Sequence, residues 1–183
     1  LDDAMDPAIS PDGTRIAFSR TGVDGLEKIV VAPLEDVTQV RVLTGEGDGF
    51  WGHTDPMWSP DGRTLCYADF KNLWIINVDG GEARQLTHSD APDRNPIWSP
   101  DGKYILFSSL HEGRWGLWDL QISDGSEHRL TAGTGKEDEP SLGQSGQWLA
   151  YSTTDDSSDI VVLDLAKGLR STISGATDEL NPA

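Results

Sequence analysis

Oxygen-bearing side chains collect immediately ahead of five prolines. Asp2-Asp3-Ala4-Met5-Asp6 precedes Pro7, His53-Thr54-Asp55 precedes Pro56, and Asp93-Arg94-Asn95 precedes Pro96. Glu137-Asp138-Glu139 precedes Pro140, and Asp178-Glu179-Leu180-Asn181 precedes Pro182. Carboxylates and amides gathered at one place are what a hard cation such as Ca²⁺ requires. The same groups would attract the basic side chains of a peptide. They would equally serve as turn caps and a solvated rim, which needs no ligand. Whether they can meet depends on spacing. The prolines stand 49, 40, 44 and 42 residues apart, a regularity that points to a repeating fold with one contribution per unit.

The other reactive side chains form no set. His53, His88, His111 and His128 are scattered, and no two have close metal-ligand spacing. Gly143-Gln144-Ser145-Gly146-Gln147 is not a nucleophile elbow, because its second glycine comes one place early. Asp155, Asp156 and Asp159 lack the glycine and the full pattern of an EF-hand loop and read as a solvated hairpin tip. Cys66 shares a column with Ala17, Leu106 and Ala150, so it reads as a small core residue rather than a reactive thiol. No nucleophile, base and oxyanion donor occur together. The chain therefore reads as non-catalytic.

The elements that would position the oxygen ligands are short strands. Nine, ten and eleven residues after the first four prolines come Ile16-Ala17-Phe18, Leu65-Cys66-Tyr67, Ile105-Leu106-Phe107 and Leu149-Ala150-Tyr151, with no insertion in any unit. Between proline and strand lies a turn phrase: Ser10-Pro11-Asp12-Gly13, Ser59-Pro60-Asp61-Gly62 and Ser99-Pro100-Asp101-Gly102, with an eroded copy at Gly143-Gln144-Ser145-Gly146. Proline sets φ there, aspartate bonds its own backbone and glycine tolerates positive φ, so Asp12, Asp61 and Asp101 read as turn formers. A second apolar run follows in each unit (Ile29–Ala32, Leu73–Val78, Trp115–Leu120, Ile160–Leu165), and each closes on Leu43-Thr44, Leu86-Thr87, Leu130-Thr131 or Ile173-Ser174. With the strand around each proline this makes about four strands per unit. No window holds an apolar period of 3.6, so almost no helix is expected.

The phrase P-x-W-S-P-D-G, an aliphatic–aromatic strand and a closing L-T together resemble the TolB-like, or WD40-like Pro-Asp (PD40), repeat. The resemblance covers the chain from Asp6 onward, with a first unit lacking the tryptophan and a degenerate fourth. It implies an all-β propeller of four-stranded antiparallel blades. The units would run approximately over 6–49, 50–89, 90–133 and 134–175, with a fifth beginning at 176–183. Such propellers usually have six or seven blades. Four units are therefore expected to be part of a larger toroid, a closed four-bladed ring, or an open half completed by a second copy. The resemblance also implies that the segments before the prolines enter the innermost strands and converge on one mouth of a central channel. The expected contacts there are Asp6, His53, Asp55, Asp93, Asn95, Glu137, Glu139 and Asn181. Trp51 is a candidate apolar anchor, and Trp115 could also serve as one. Trp58 and Trp98, in the repeat's own column, read as packing between blades.

Composition narrows the partners. Lys and Arg number 14 against 31 Asp and Glu, a net charge of −17. This argues against a nucleic-acid surface and against docking on anionic lipid. No apolar run is long enough to span a bilayer. One cysteine permits no internal disulfide. The expected function is recognition of a protein or peptide at an acidic mouth, with Ca²⁺ there as a further expectation. Competing expectations are the propeller of a prolyl-oligopeptidase-like serine peptidase, which would be cytoplasmic, and the extracytoplasmic sensor of a bacterial regulator. The recognition module itself is expected to be periplasmic or extracytoplasmic. Propeller lyases of acidic sugars bring several histidines to the mouth, and this chain offers only His53.

Overall fold

The computed structural model describes residues 4–45, 52–88, 90–111, 113–131, 135–154 and 158–174. Trp51 and Asn181 lie outside them. Four antiparallel four-stranded sheets follow one another along the chain. The first holds β1 (Ala4–Ile9), β2 (Arg15–Thr21), β3 (Glu27–Pro33) and β4 (Arg41–Val42). The second holds β5 (Thr54–Trp58), β6 (Thr64–Ala68), β7 (Leu73–Asn77) and β8 (Arg84–Gln85). The third holds β9 (Asp93–Trp98), β10 (Tyr104–His111), β11 (Arg114–Gln121) and β12 (Glu127–Arg129). The fourth holds β13 (Lys136–Leu142), β14 (Trp148–Thr154), β15 (Ser158–Asp164) and β16 (Leu169–Ser174). Each is a propeller blade whose first strand is innermost. No helix occurs among the described residues.

Each recurring phrase of the repeat has a mechanical role. In the turns, the hydroxyls of Ser10, Ser59 and Ser99 donate to Asp12, Asp61 and Asp101 at 2.6, 2.6 and 2.7 Å. The same hydroxyl oxygens accept the N–H groups of Arg15, Thr64 and Tyr104. Glycine is needed in this turn for positive φ (67° at Gly62), and the preceding blade's turn lies at ordinary contact distance. A Cβ at Gly62 would stand 3.7 Å from Pro11, and one at Gly146 would stand 3.6 Å from Pro100. Gly146 keeps the same positive φ, 71°, which is why the eroded fourth phrase retains its last glycine. The closing threonines Thr44, Thr87 and Thr131 accept the N–H groups of Ile29, Leu73 and Leu117 at 3.0, 2.9 and 2.9 Å.

Blades join through one recurring joint. The earlier blade presents the tenth-position column, and the later blade presents the ninth and eleventh. Ala17, Ile29 and Val31 thus meet Trp58, Leu65 and Tyr67. Cys66 and Leu73 meet Ile105 and Phe107, and Leu106 and Leu117 meet Leu149 and Tyr151. Cys66 is fully buried, and burial pushes its thiol pKa far up. The repeat tryptophans latch each joint: the indole N–H of Trp58 donates to the Ala8 carbonyl at 3.0 Å, and that of Trp98 to the Met57 carbonyl at 3.2 Å. Among the described residues, strand packing of this kind runs from the first blade to the fourth but does not return extensively from the fourth to the first. The four blades form an open arc rather than a sealed ring.

Candidate functional site

The innermost strands share an irregularity that the sequence pattern conceals. In β1 the step from Met5 to Ala8 is matched on β2 by the shorter step from Ser19 to Ala17. The same extra residue appears between Thr54 and Met57, between Arg94 and Ile97, and between Asp138 and Ser141. Each bulge contains the residue–proline pair. The residue before proline has φ of 53° at Asp6, 53° at Asp55, 52° at Asn95 and 53° at Glu139. A non-glycine residue at positive φ carries strain of order 1 kcal/mol, less for Asp and Asn. Three of the four positions use Asp or Asn. The bulge breaks the alternation of the strand and re-aims one side chain.

The result is a set of four side chains, one per blade, facing the channel. Asp6, Asp55, Asn95 and Glu139 line one cavity of about 290 Å³, floored by their prolines. A wider cavity of about 600 Å³ opens beside it, bounded by the same four residues with Phe70, Arg94, Trp115, Lys136 and Asp138. Neighbouring members are hydrogen-bonded around the arc. The Asp55 N–H reaches the Asp6 carboxylate at 3.4 Å, and the Asn95 backbone N–H bonds the Asp55 carboxylate. Asn95 donates its amide to Asp138 at 2.8 Å. Burial, followed by the repulsion of Asp6, raises the Asp55 pKa above the usual carboxylate value.

The wall on the third and fourth blades is built differently. Arg94 pairs with Asp138, and its guanidinium stacks over the Trp115 ring at 3.8 Å. Lys136 pairs with Asp138 at 3.1 Å and lies 5.9 Å from the same ring. Burial works to raise Asp138, and bonding to Lys136, Arg94 and Asn95 outweighs it, so its pKa is lowered. Phe70, half exposed, stands across the cavity at φ 67°. The mouth is therefore acidic on the first two blades and carries a cation-stacked indole on the next two. Trp115 lies within β11, which pairs with β10 as far as His111 and Arg114.

The residues three places before the prolines do not join this set. His53, Asp93 and Glu137 are buried at 2%, 1% and 0% exposure and line neither cavity. His53 packs edge-on against Tyr67 at 5.1 Å. Glu137 lies against Tyr151, raising its phenol pKa, second to burial itself. Asp93 takes the Ser109 hydroxyl. The expectation that all candidate residues converge at the mouth thus divides. The bulge sends the residue before proline into the channel and leaves its partner two places earlier inside the blade.

Residues 2–183 of the chain match the family model of the TolB β-propeller domain, PD40. The chain belongs to the PD40 family. A solved putative TolB from Agrobacterium tumefaciens is 25% identical and superposes with a TM-score of 0.80, over 91% of this chain and 63% of that one. An uncharacterized peptidase of Bacillus subtilis, YuxL, is 38% identical over 92 residues, which is 45% of this chain and 13% of the peptidase. A TolB homologue of Chlorobium luteolum is 28% identical over 127 residues, 67% of this chain and 27% of that protein. The chain spans well under half the length of these curated relatives.

In PD40 terms, the repeat's signature residues make joints and turns, and the channel set lies just outside the signature. Arg94, Asp138, Lys136 and Phe70 are site residues that the sequence reading did not select. Arg94 and Asp138 occupy the same column in consecutive units, and opposite charge in one column was the available signal. Among the described residues no group of three or more His, Cys, Asp or Glu side chains is arranged to hold a metal ion. The Ca²⁺ expectation gains no support from such a group. His111 stacks on Trp118 at 4.2 Å and His128 contacts Asp119 at 3.3 Å, both outside the cavity linings. Among the described residues no helix is long and apolar enough to cross a membrane.

Proposed function

We propose that this TolB-like propeller is a non-catalytic recognition module that binds a protein or peptide segment at the channel mouth. The observation that carries this reading is the double cavity whose walls differ in chemistry. Asp6 and Asp55 offer carboxylates on the first two blades, while Trp115 offers aromatic surface on the third, with Phe70 on the second. A segment bearing a basic group beside an apolar side chain would engage both walls. The bulged backbone is fixed by strand pairing on either side, so little ordering cost falls on the protein. The glutamate and asparagine of the channel set, Glu139 and Asn95, add polar contacts near the axis. Asn181 and Trp51 belong to the same proposal by their place in the repeat. His53, Asp93 and Glu137 support the mouth from within the blades.

The experiment is selection of peptides from a random display library against the chain, followed by affinity measurement on Asp55→Asn, Glu139→Gln and Trp115→Ala. A mouth ligand should lose about three- to tenfold on each charge change and more on loss of the indole. Peptides indifferent to all three changes would reject the reading. By likeness to TolB, the proposed compartment is periplasmic or otherwise extracytoplasmic. A second reading, favoured by the likeness to the Bacillus peptidase, makes this arc the access filter of a cytoplasmic serine peptidase. That reading requires a hydrolase domain on the same polypeptide. In that case the mouth would select peptides by size as well as charge.

A further inference from the structure

The joints between blades differ at one column. Eight residues after the first four prolines, at the start of each second strand, stand Arg15, Thr64, Tyr104 and Trp148. Arg15 crosses from the first blade to the second. Its guanidinium carbon lies 4.8 Å from the centre of the Trp58 ring, and it donates to the Gly62 carbonyl at 2.8 Å. The groups at that joint are shut away: Val31 and Trp58 are each 5% exposed, Val78 is 2% exposed and Gly62 is buried. Thr64, in the same place at the next joint, is too short to make that crossing. Ile75 pairs with Cys66 as Val31 pairs with Ala17, and the Ile122 N–H bonds to Lys103 as that of Val78 bonds to Arg63. These counterparts, Ile75 and Ile122, are only half-buried, as are Trp98 and Gly102. A groove of about 350 Å³ opens among the four, lined also by Asp61 and Asp101. At the third joint Tyr104 fills the column again and packs against the buried cluster there.

We infer that this groove is a second binding site, separate from the mouth, and that it takes the arginine side chain of a peptide segment from a binding partner. It lies at the other end of the innermost strands, since β9 carries Asn95 near its start and ends at Trp98. Both blades that build it are flanked by further blades of the same chain. The first joint supplies the pattern. What Arg15 meets there, an indole face and a glycine carbonyl, recurs at the open joint as Trp98 and Gly102. The Asp61 and Asp101 carboxylates complement the charge of the occupant. A guanidinium is planar, stacks on an indole and carries several donors, so it can engage ring, carbonyl and carboxylate together. An ammonium is a compact, strongly hydrated point charge and cannot. Lys103 reaches Asp101 at 3.3 Å, but its side chain is 77% exposed and lines none of the groove. The inference stands whether or not the mouth binds peptides.

Two-dimensional NMR of the chain tests it. The probes are acetyl-Ala-Arg-Ala-amide and its counterparts with lysine or with citrulline, a neutral isostere, in place of arginine. One side chain held in this way should bind with a Kd of about 1–10 mM. The arginine peptide should shift the Gly102 amide and the Trp98 indole N–H saturably, and the other two should bind about tenfold more weakly. Thr64→Arg should abolish those shifts, because its own guanidinium would fill the groove as Arg15 fills the first. Val23→Arg, at a fully exposed position of the first blade, adds the same charge and should keep them. Shifts confined to residues 54–57 and 94–97 would place the peptide at the mouth, uphold recognition there and overturn this inference. No saturable shift at Gly102 and Trp98, an equal response to all three peptides, or full binding by a folded Thr64→Arg chain would overturn it as well. If Thr64→Arg does not fold, the three peptides compared on the wild type decide the matter.

Discussion

Asp93 shows how a carboxylate in a repeat column can be a cost rather than a ligand. It is 1% exposed, and burial lifts its pKa from 3.8 to about 6. The folded state therefore holds its proton more tightly than the unfolded chain does. Its contribution to stability is complete below about pH 4 and is lost as pH rises through about 6. At pH 7 the ionised side chain costs on the order of 3 kcal/mol relative to its protonated form. Asp93→Asn keeps an acceptor for Ser109 and removes the charge. The melting temperature at pH 7 should rise, and its decline between pH 4 and 6 should flatten. An unaltered pH profile measured by thermal denaturation would exclude this account. Glu139 presents the opposite case, a residue poorly suited to its backbone. Its φ of 53° favours Asn, and Glu139→Asn should stabilise by about 0.5–1 kcal/mol in urea unfolding.

At the scale of elements, the joints and the strand ends set the stability. Thr87 accepts the Leu73 N–H and is itself fully buried. Thr87→Val keeps the shape, orphans that N–H and should cost about 1–3 kcal/mol by denaturant titration, with no change in urea m-value. Trp58→Phe removes the bond to the Ala8 carbonyl and some packing, and should destabilise by a similar amount. These elements were readable in the residues. The turn phrase, the ninth-to-eleventh columns and the closing Leu-Thr identify turns, second strands and strand ends because each is a local constraint. The site was less readable. A residue before proline is ordinarily pushed to extended conformations, so nothing in Asp55-Pro56 or Glu139-Pro140 announces a bulge at positive φ. Alternation then places His53 beside Asp55, and only the inserted residue separates them. Trp115 opens a run that was readable as a strand, but which cavity that strand end reaches depends on the pairing of β10 with β11 up to His111 and Arg114.

For the whole molecule, the arc gathers one channel side chain from each blade and leaves function to the residues that the repeat does not need. The signature residues are occupied in turns and latches. Asp6, Asp55, Glu139, Phe70 and the Arg94–Trp115 stack lie outside the apolar joints, although Asp6 and Arg94 also bond to the neighbouring blade. The most direct measurement is amide hydrogen exchange of the chain with and without a saturating peptide selected from the display library. Protection should appear at residues 54–57, 94–97 and 138–141, the bulged segments around the mouth, and not at the Pro-Asp-Gly turns. Protection confined to those turns or to the outermost strands, with the bulged segments unchanged, would contradict recognition at the channel mouth.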